Sequence, residues 1–342
     1  MRSLPVVRKF THRGSIESGL RLDMGERAVD FPDEDFEKFV NSLSQKDFIC
    51  YPSEKDYEYF KKKISRLEDL PFSFINLNFG SDQVIRNVFD LCSKEGGEVI
   101  INDPCFPMYK VYADTFNLKC QTIEYDGDLN FQITDILNKL NDNTVLVALA
   151  NPNSPFGDIK SCDEIVFLCQ ELERREVMLL LDEAYIDFGG KSSTFLTKLY
   201  SNLIICKTFS KAWGGAGARC GYSISHPVNI TQLEKVRPSF PATGATLKYL
   251  NFLVDNIHLK DEYVQSIQDE RDKILKNANT RFSIQYGCVN WIHINDIDDN
   301  IFLDKLLKSH NISYKNKLTV PHDKRKNWIR IGIKSGISDF FQ

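Results

Sequence analysis

The sequence lacks the features that would place the protein in a membrane or on nucleic acid. No apolar run reaches the length of about 20 residues that a membrane-spanning helix needs. The formal net charge is −4 and basic residues occur only in short runs, so there is no electrostatic case for nucleic acid or an anionic membrane. The first residues show no apolar stretch typical of a signal peptide. We expect a cytoplasmic protein with small-molecule partners.

The cysteine pattern excludes further classes. Nine cysteines are scattered through the chain, with no C-x-x-C pair and an odd total. This spacing indicates neither a zinc site nor a disulfide framework, so we expect no bound metal and a reducing compartment. No G-x-G-x-x-G or Walker lysine motif follows an apolar run, which argues against a nucleotide-binding protein.

The sequence does contain a regular alternation of short apolar runs and amphipathic segments. The runs at 98–103, 144–152, 177–185 and 202–210 are typical of strands that are buried on both faces. Helical patterns separate these runs, which favours parallel strand pairing. We therefore predict an α/β fold with a mostly parallel central sheet covered by helices, plus a smaller α+β domain.

A chain of 342 residues suits two domains better than one core. Residues 1–45 are expected to form an irregular arm that joins the small domain. Residues 46–235 are expected to form the large domain, and 236–342 the small one. In parallel sheets, ligands gather beyond the carboxyl ends of the strands, so polar residues at those ends are the candidates for a site.

The sharpest local signal is the stretch KTFSKAWGGAGARCGY at 207–222. Lys211 follows small hydroxyl residues at the end of an apolar run, and Arg219 comes shortly after it. An enzyme of pyridoxal 5′-phosphate (PLP) needs such a set, because a lysine amine condenses with the aldehyde while hydroxyls and a guanidinium hold the phosphate. By itself, the pattern is equally compatible with a surface lysine.

A second signal lies at the end of the 177–185 run, where Asp182 and Tyr185 follow apolar residues. A buried aspartate is costly unless it meets a cationic partner. A protonated pyridine nitrogen is such a partner, and a helix-capping aspartate is the ordinary alternative. The stretch NPNSPFG at 151–157 is typical of a turn and places amide side chains at the end of another strand.

These ordered motifs resemble those of class I and II PLP-dependent aminotransferases of fold type I, most closely the histidinol-phosphate aminotransferase branch, over about 51–330. DEAYIDF matches DEAYxDF, and TFSKAWGGAGARCGY matches TFSKAFGLAGLRLGY. The resemblance implies that Lys211 forms the Schiff base and shuttles the proton. It also implies that Asp182 pairs with the pyridine nitrogen and that Tyr185 reaches the 3′-oxygen of the ring.

Further matches imply the remaining contacts. FGSDQVI resembles the GSDE segment, DPCFPMY the P-x-F-x-M-Y segment, NPNSPFG the NPNNPTG segment and CYPS the "YP" tyrosine that reaches the phosphate of the partner subunit in a homodimer. They assign to the cofactor the residues Tyr51, Ser81, Asp82, Tyr109, Asn153, Thr208, Ser210 and Arg219. NWIRIGI resembles the R-I-x-I-G segment, so Arg330 would bind the substrate carboxylate as a bidentate pair.

The sequence departs from the family pattern at the substrate end. Ser154 stands where the family has the asparagine before the proline, so either Asn153 or Ser154 contacts the ring oxygen. Gly25 stands for the first asparagine of the N-E-N-P-Y-G segment, while Glu26 is kept. These changes leave the amino donor and acceptor open.

The implied function is transfer of an amino group between an amino acid and a keto or aldehyde acceptor, with phosphorylated substrates as one option. A phosphoamino-acid decarboxylase would use the same lysine and aspartate but break another bond of the substrate. A non-catalytic homologue would keep the scaffold alone. The motifs are shared by all three alternatives.

Overall fold

The computed structural model describes residues 19–126, 130–296, 300–315 and 328–342, so residues 1–18 of the predicted arm lie outside the described residues. Within these ranges the strands are β1 (Leu20–Arg21), β2 (Ile75–Asn78), β3 (Glu98–Asp103), β4 (Lys119–Glu124), β5 (Thr144–Ala150), β6 (Met178–Asp182), β7 (Leu203–Thr208), β8 (Gly221–Ser225), β9 (Phe282–Tyr286), β10 (Trp291–Asp296), β11 (Ile312–Ser313) and β12 (Ile329–Gly332). The helices are α1 (Asp33–Ser42), α2 (Lys46–Ile49), α3 (Glu54–Glu68), α4 (Gly80–Leu91), α5 (Met108–Thr115), α6 (Ile133–Leu137), α7 (Cys162–Glu173), α8 (Pro227–Val236), α9 (Gly244–Asp255), α10 (Ile257–Asn277) and α11 (Asn300–Ser309).

A seven-stranded sheet in the order β2-β8-β7-β6-β5-β3-β4 forms the centre of the molecule. The pairs from β7 to β4 are parallel, whereas β8 is antiparallel to both β2 and β7. The predicted, mostly parallel sheet is therefore confirmed. Strand β8 was not predicted, because its sequence GYSIS is short and mixes glycine and serine with its apolar residues.

The apolar runs are continuous because both faces of the sheet are covered. In β6, Leu179 and Leu181 join one core cluster with residues of α3, α6, α7 and α9. Leu180, between them, joins the other cluster with residues of α4, α5 and α8. Each such leucine contributes roughly 1.5–3 kcal/mol by its burial, so a polar residue at any of these positions would be costly.

A three-stranded antiparallel sheet in the order β12-β10-β9 forms a second unit. One face carries isoleucines that pack against α10 and α11, among them Ile292, Ile294 and Ile331. The opposite face carries Trp291 and Arg330. The indole of Trp291 donates to the backbone oxygen of Pro155 over 2.8 Å, so this face lies against the 151–157 turn of the large sheet.

Several predicted elements differ in detail. The helical region expected from about 247 to 278 is two helices that meet at Asn256. The first of them, α9, packs into the core of the large sheet, although it lies beyond the predicted boundary at 235/236. The predicted arm at 1–45, expected to be irregular, contains α1, and α2 follows it directly. In the described ranges no helix is both long and apolar enough to cross a membrane.

Candidate active site

The polar residues at the carboxyl ends of the parallel strands come together, as expected from the topology. Asp182 ends β6, and its neighbours in register are Ala150 of β5 and Cys206 of β7. Its carboxylate accepts hydrogen bonds from the Tyr109 hydroxyl, at 3.2 Å, and from the Ala184 N–H, at 3.0 Å. The structure thus holds Asp182 in one orientation at the centre of the sheet edge.

Asp182 is only 5% exposed. Burial raises the pKa of its carboxyl group to about 6, while the Ala184 N–H, the Tyr109 hydroxyl and the charge of Lys211 act in the opposite direction. No lysine or arginine within the described ranges forms an ion pair with it. A buried carboxylate in this state favours a cationic ligand, since burial without a counter-charge is costly.

Lys211 lies in the loop that follows β7. Its Nζ donates to the backbone oxygen of Met24 over 2.9 Å and lies 5.0 Å from the ring centroid of Tyr185. The Tyr185 ring packs edge-on against Trp291, with 4.6 Å between ring centroids. The structure therefore brings Lys211 and Tyr185 together, as the sequence predicted, with the N-terminal segment beside them.

The register of β2, β8 and β7 brings together groups that suit an anion, here called the phosphate cradle. Asn78, Gly221 and Thr208 lie side by side at the ends of β2, β8 and β7. A Cβ at Gly221 would lie 2.6 Å from the N–H nitrogen of Ser81, so only glycine permits this approach to the start of α4. Ser81 and Thr208 are thus both direct neighbours of Gly221.

Two further groups complete the cradle. The guanidinium of Arg219 lies over the start of α4. Its Nη2 is 2.9 Å from the position that a Cβ at Gly80 would occupy. The hydroxyl of Thr208 donates to that of Ser210 over 3.0 Å. A helix N-terminus, two hydroxyls and a guanidinium are suited to hold a phosphate. Asp82 instead accepts from the Tyr112 hydroxyl over 3.0 Å and thereby links α4 to α5.

Arg330 extends from β12 towards the same region and is 6% exposed. Its guanidinium donates to the backbone oxygen of Asp23 at 2.9 Å and to Ser154 Oγ at 3.5 Å, and its Cζ lies 4.7 Å from the ring centroid of Trp291. Burial lowers its pKa from the ordinary value, although the charges of Tyr185 and Asp23 oppose the shift. In the described ranges Arg330 has no ion-pair partner.

Asn153 and Ser154, which the sequence left as alternatives, point to different neighbours. The amide nitrogen of Asn153 donates to the Tyr125 hydroxyl at 2.6 Å and to the Pro104 oxygen at 3.3 Å. Ser154 accepts from Arg330. The geometry places Ser154 beside Arg330, and whether Asn153 or Ser154 contacts the cofactor ring stays a prediction.

Tyr109 and Tyr51 have opposite environments. The Tyr109 side chain is fully buried against Phe89 and Phe106, and its hydroxyl reaches Asp182. Tyr51 is 79% exposed and stacks on Phe240 with 4.2 Å between ring centroids. Tyr109 therefore joins the site within this chain, whereas Tyr51 lies on its surface.

Sequence reasoning missed two groups of the site. The backbone oxygen of Met24 receives Lys211, and no residue type announces a backbone acceptor. Trp291 carries the guanidinium of Arg330 on its ring, yet its sequence context indicated only a strand. Trp291 and Arg330 are far apart in the chain and meet only through the pairing of β10 with β12, so the sequence carries no local signal for this contact.

Comparisons with known proteins agree with this geometry. The family model described as aminotransferase class I and II matches residues 58–339. A histidinol-phosphate aminotransferase of Bacteroides thetaiotaomicron is 30% identical over 259 residues, which covers 75% of this chain and 71% of that protein. A histidinol-phosphate aminotransferase of Thermococcus gammatolerans is 28% identical over 255 residues, covering 75% and 73%.

Solved structures share the fold. Histidinol-phosphate aminotransferase from Sinorhizobium meliloti in complex with pyridoxal-5′-phosphate has a TM-score of 0.81 at 21% identity, covering 94% of this chain and 88% of that one. L-threonine-O-3-phosphate decarboxylase from Porphyromonas gingivalis has a TM-score of 0.75 at 15% identity, covering 94% and 97%. The chain belongs to the class I and II aminotransferase family and is a PLP-dependent enzyme of fold type I.

Proposed function

We propose that this aminotransferase acts on amino compounds with an anionic end, carboxylate or phosphate, that binds to Arg330. The observation that carries the proposal is a buried guanidinium that, among the described residues, bonds to the backbone oxygen of Asp23 and the hydroxyl of Ser154 and to no carboxylate. A buried cation without a counter-charge is costly. A bidentate anion would supply the missing charge and match the planar guanidinium.

The residues of the site fit PLP. Asp182 offers a buried carboxylate to a protonated pyridine nitrogen, and the cradle of Ser81, Thr208, Ser210 and Arg219 offers donors to a phosphate. When bound, the cofactor supplies an electron sink for the bond that breaks at the substrate Cα. The carboxylate of Asp182 would hold the proton on the pyridine nitrogen and so maintain that sink.

Lys211 would then move the proton. Its Nζ would act as the general base that takes the proton from the substrate Cα and passes it on within the site, a contribution of about 10²–10⁴-fold in rate. Tyr185 would donate to the ring oxygen, with its ring fixed by the edge contact with Trp291. Arg330 would orient the substrate so that its Cα faces Lys211.

The histidinol-phosphate aminotransferases among the relatives make a phosphorylated substrate the first candidate. Within this chain, the support is the buried guanidinium of Arg330, which favours an anionic ligand. The exposed stack of Tyr51 on Phe240 supports a homodimer in which Tyr51 reaches the partner's phosphate cradle. The division into large and small domains near 235, and a cytoplasmic location, belong to the same proposal.

A half-reaction screen tests the proposal. The PLP-loaded enzyme is mixed in turn with L-histidinol phosphate, L-glutamate and O-phospho-L-threonine, and the conversion of the cofactor to its amine form is followed by absorbance. We expect conversion by at least one anionic compound and none by histamine or butylamine, which lack the anion. Release of CO₂ without conversion would identify a decarboxylase. Equal conversion by the neutral-ended amines would contradict the role of Arg330.

A further inference from the structure

The segment 21–26, here called the N-terminal strap, crosses the site between the two sheets. Four successive backbone oxygens of the strap each accept a hydrogen bond from a different donor. The donors to residues 22, 23, 24 and 25 are the Gly332 N–H at 2.7 Å, Arg330 Nη2 at 2.9 Å, Lys211 Nζ at 2.9 Å and Asn290 Nδ2 at 3.2 Å. Such a run of satisfied acceptors fixes the path of the strap residue by residue.

The donors come from different parts of the molecule. Gly332 and Arg330 lie on β12 and Asn290 directly precedes β10, so three of them belong to the small sheet. Lys211 belongs to the loop after β7 of the large sheet. An ion pair between Arg21 and Glu26, with 3.0 Å between Nη2 and Oε1, closes the strap at its two ends. The strap therefore joins the lysine to the unit that carries the arginine.

We propose that the N-terminal strap is a positioning element for the catalytic lysine, with the Met24 carbonyl as the acceptor that holds Lys211 Nζ whenever it is a free amine. The inference rests on the role of Lys211 in the proposed function. A lysine amine on a flexible stem has many orientations, and one fixed acceptor selects among them. The neighbouring carbonyl of Asp23 binds Arg330, so the positions of the amine and of the anion site are set by adjacent peptide groups.

A substitution at Gly25 perturbs the strap without replacing Met24 or Lys211. Its φ is +63°, and an added Cβ would lie 3.3 Å from Asn290 Oδ1 and from the Tyr185 hydroxyl. Gly25→Ala is therefore expected to shift the strap. Gly96→Ala is a matched control, because Gly96 has a φ of +71° and open space around its Cβ position. Asn290→Ala is a second variant, which removes the donor to Gly25 and adds no atom.

The test measures acetylation of Lys211 by acetic anhydride in the cofactor-free protein, by mass spectrometry, with the ion-paired Lys207 as internal reference. We expect Gly25→Ala and Asn290→Ala to raise the rate at Lys211 by about 2- to 10-fold, the effect of one lost hydrogen bond, and to leave Lys207 unchanged. Gly96→Ala should match the wild type at both lysines. In the PLP-loaded enzyme, the two strap variants should show a larger isotope effect with α-deuterated L-glutamate.

Unchanged acetylation of Lys211 in both strap variants would overturn the proposal. A parallel rise at Lys207 would also overturn it, since the strap would then serve stability alone. The acetylation experiment needs no substrate. Faster acetylation of Lys211 in the strap variants, with no half-reaction by any substrate, would therefore refute the proposed function and leave the positioning role standing. Normal half-reactions with unchanged acetylation would refute the positioning role and leave the proposed function standing.

Discussion

Two clusters of polar residues lie at the ends of β6 and β7, and they differ in whether their charged groups form ion pairs within the chain. Glu183 follows Asp182 directly, and Lys207 lies shortly before Lys211 in the chain. Lys207 Nζ lies 2.9 Å from Glu68 Oε2 and 3.8 Å from Glu183 Oε2. Asp182 and Lys211, in contrast, have no ion-pair partner within the described ranges.

The first group, here called the paired cluster, consists of Glu68, Glu183, Lys207 and Tyr222. The Tyr222 hydroxyl donates to Glu68 over 2.6 Å, and Glu183 also accepts from the Ser193 N–H over 2.7 Å. Burial raises the pKa of Glu183 to about 7, although Lys207 opposes the shift. Every charge here already has a partner in the chain. The difference teaches that unmatched buried charge, more than burial itself, marks the residues available to a ligand.

The largest effect on activity is expected from replacing Lys211. Lys211→Ala should lower turnover by on the order of 10⁴-fold, because it removes the group that moves the proton. It should also abolish the visible absorbance of the lysine-bound cofactor. Its urea midpoint should stay near that of the wild type, as Lys211 contributes no ion pair among the described contacts. Full transamination by this variant would refute the assignment.

Replacing the other lysine should act on stability. Lys207→Met leaves Glu68 and Glu183 buried without a counter-charge, which is expected to lower the free energy of unfolding by about 3–5 kcal/mol in urea titrations. The triple variant Lys207→Met, Glu68→Gln, Glu183→Gln removes all three charges and should recover most of the loss. If the single variant were as stable as the wild type, the paired cluster would have no structural role.

The unmatched carboxylate predicts a dependence on pH. The pKa of Asp182 is raised from 3.8 to about 6 in the fold. A raised folded-state pKa gives stability that is present below the unfolded pKa and is lost as pH rises through the folded pKa. For this shift the loss is roughly 3 kcal/mol between about pH 4 and pH 6.

Cofactor-free Asp182→Asn lacks this ionisation. It should therefore be more stable than the cofactor-free wild type at pH 8, by up to roughly 3 kcal/mol. The advantage should disappear near pH 4. Urea titrations of both proteins across this range measure it, and an equal advantage at both pH values would show that ionisation of Asp182 is not its cause.

The smallest effect is expected at the anion site. Arg330→Lys keeps the charge but loses the planar fork and the contact with Trp291. We expect kcat/KM for the best anionic substrate to fall about 10- to 100-fold, the range of one charge-assisted hydrogen bond. Thermal stability should change little. A variant that matched the wild type would place the substrate anion elsewhere.

Much of the fold could be predicted because burial on both faces leaves a direct trace in the sequence. The stretches 177–181 and 203–206 are apolar at every position, and their order with the helical segments favours parallel pairing. Strand β8 left no such trace. Its position between β2 and β7 depends on close approach at Gly221, and a single glycine is just as common in turns and helix ends.

The site divides in the same way. The placement of Asp182, Lys211 and Arg219 near one edge of the sheet could be predicted, because parallel strands bring their carboxyl ends together. The neighbours of Ser154 could not, since Ser154 meets Arg330 from a different sheet, and long-range contacts between turns have no local signature. The acceptor for Lys211 is a backbone atom, which any residue at position 24 would supply.

The connection between β7 and β8 has a consequence for engineering. Because the two strands are antiparallel neighbours, the chain leaves at Thr208 and returns at Gly221 directly beside it. This hairpin carries Ser210, Lys211 and Arg219, so the proposed attachment point of the cofactor and the proposed anchor for its phosphate lie on one continuous segment. An insertion anywhere in it would displace both, whereas transplanting the whole hairpin between relatives would preserve their spacing.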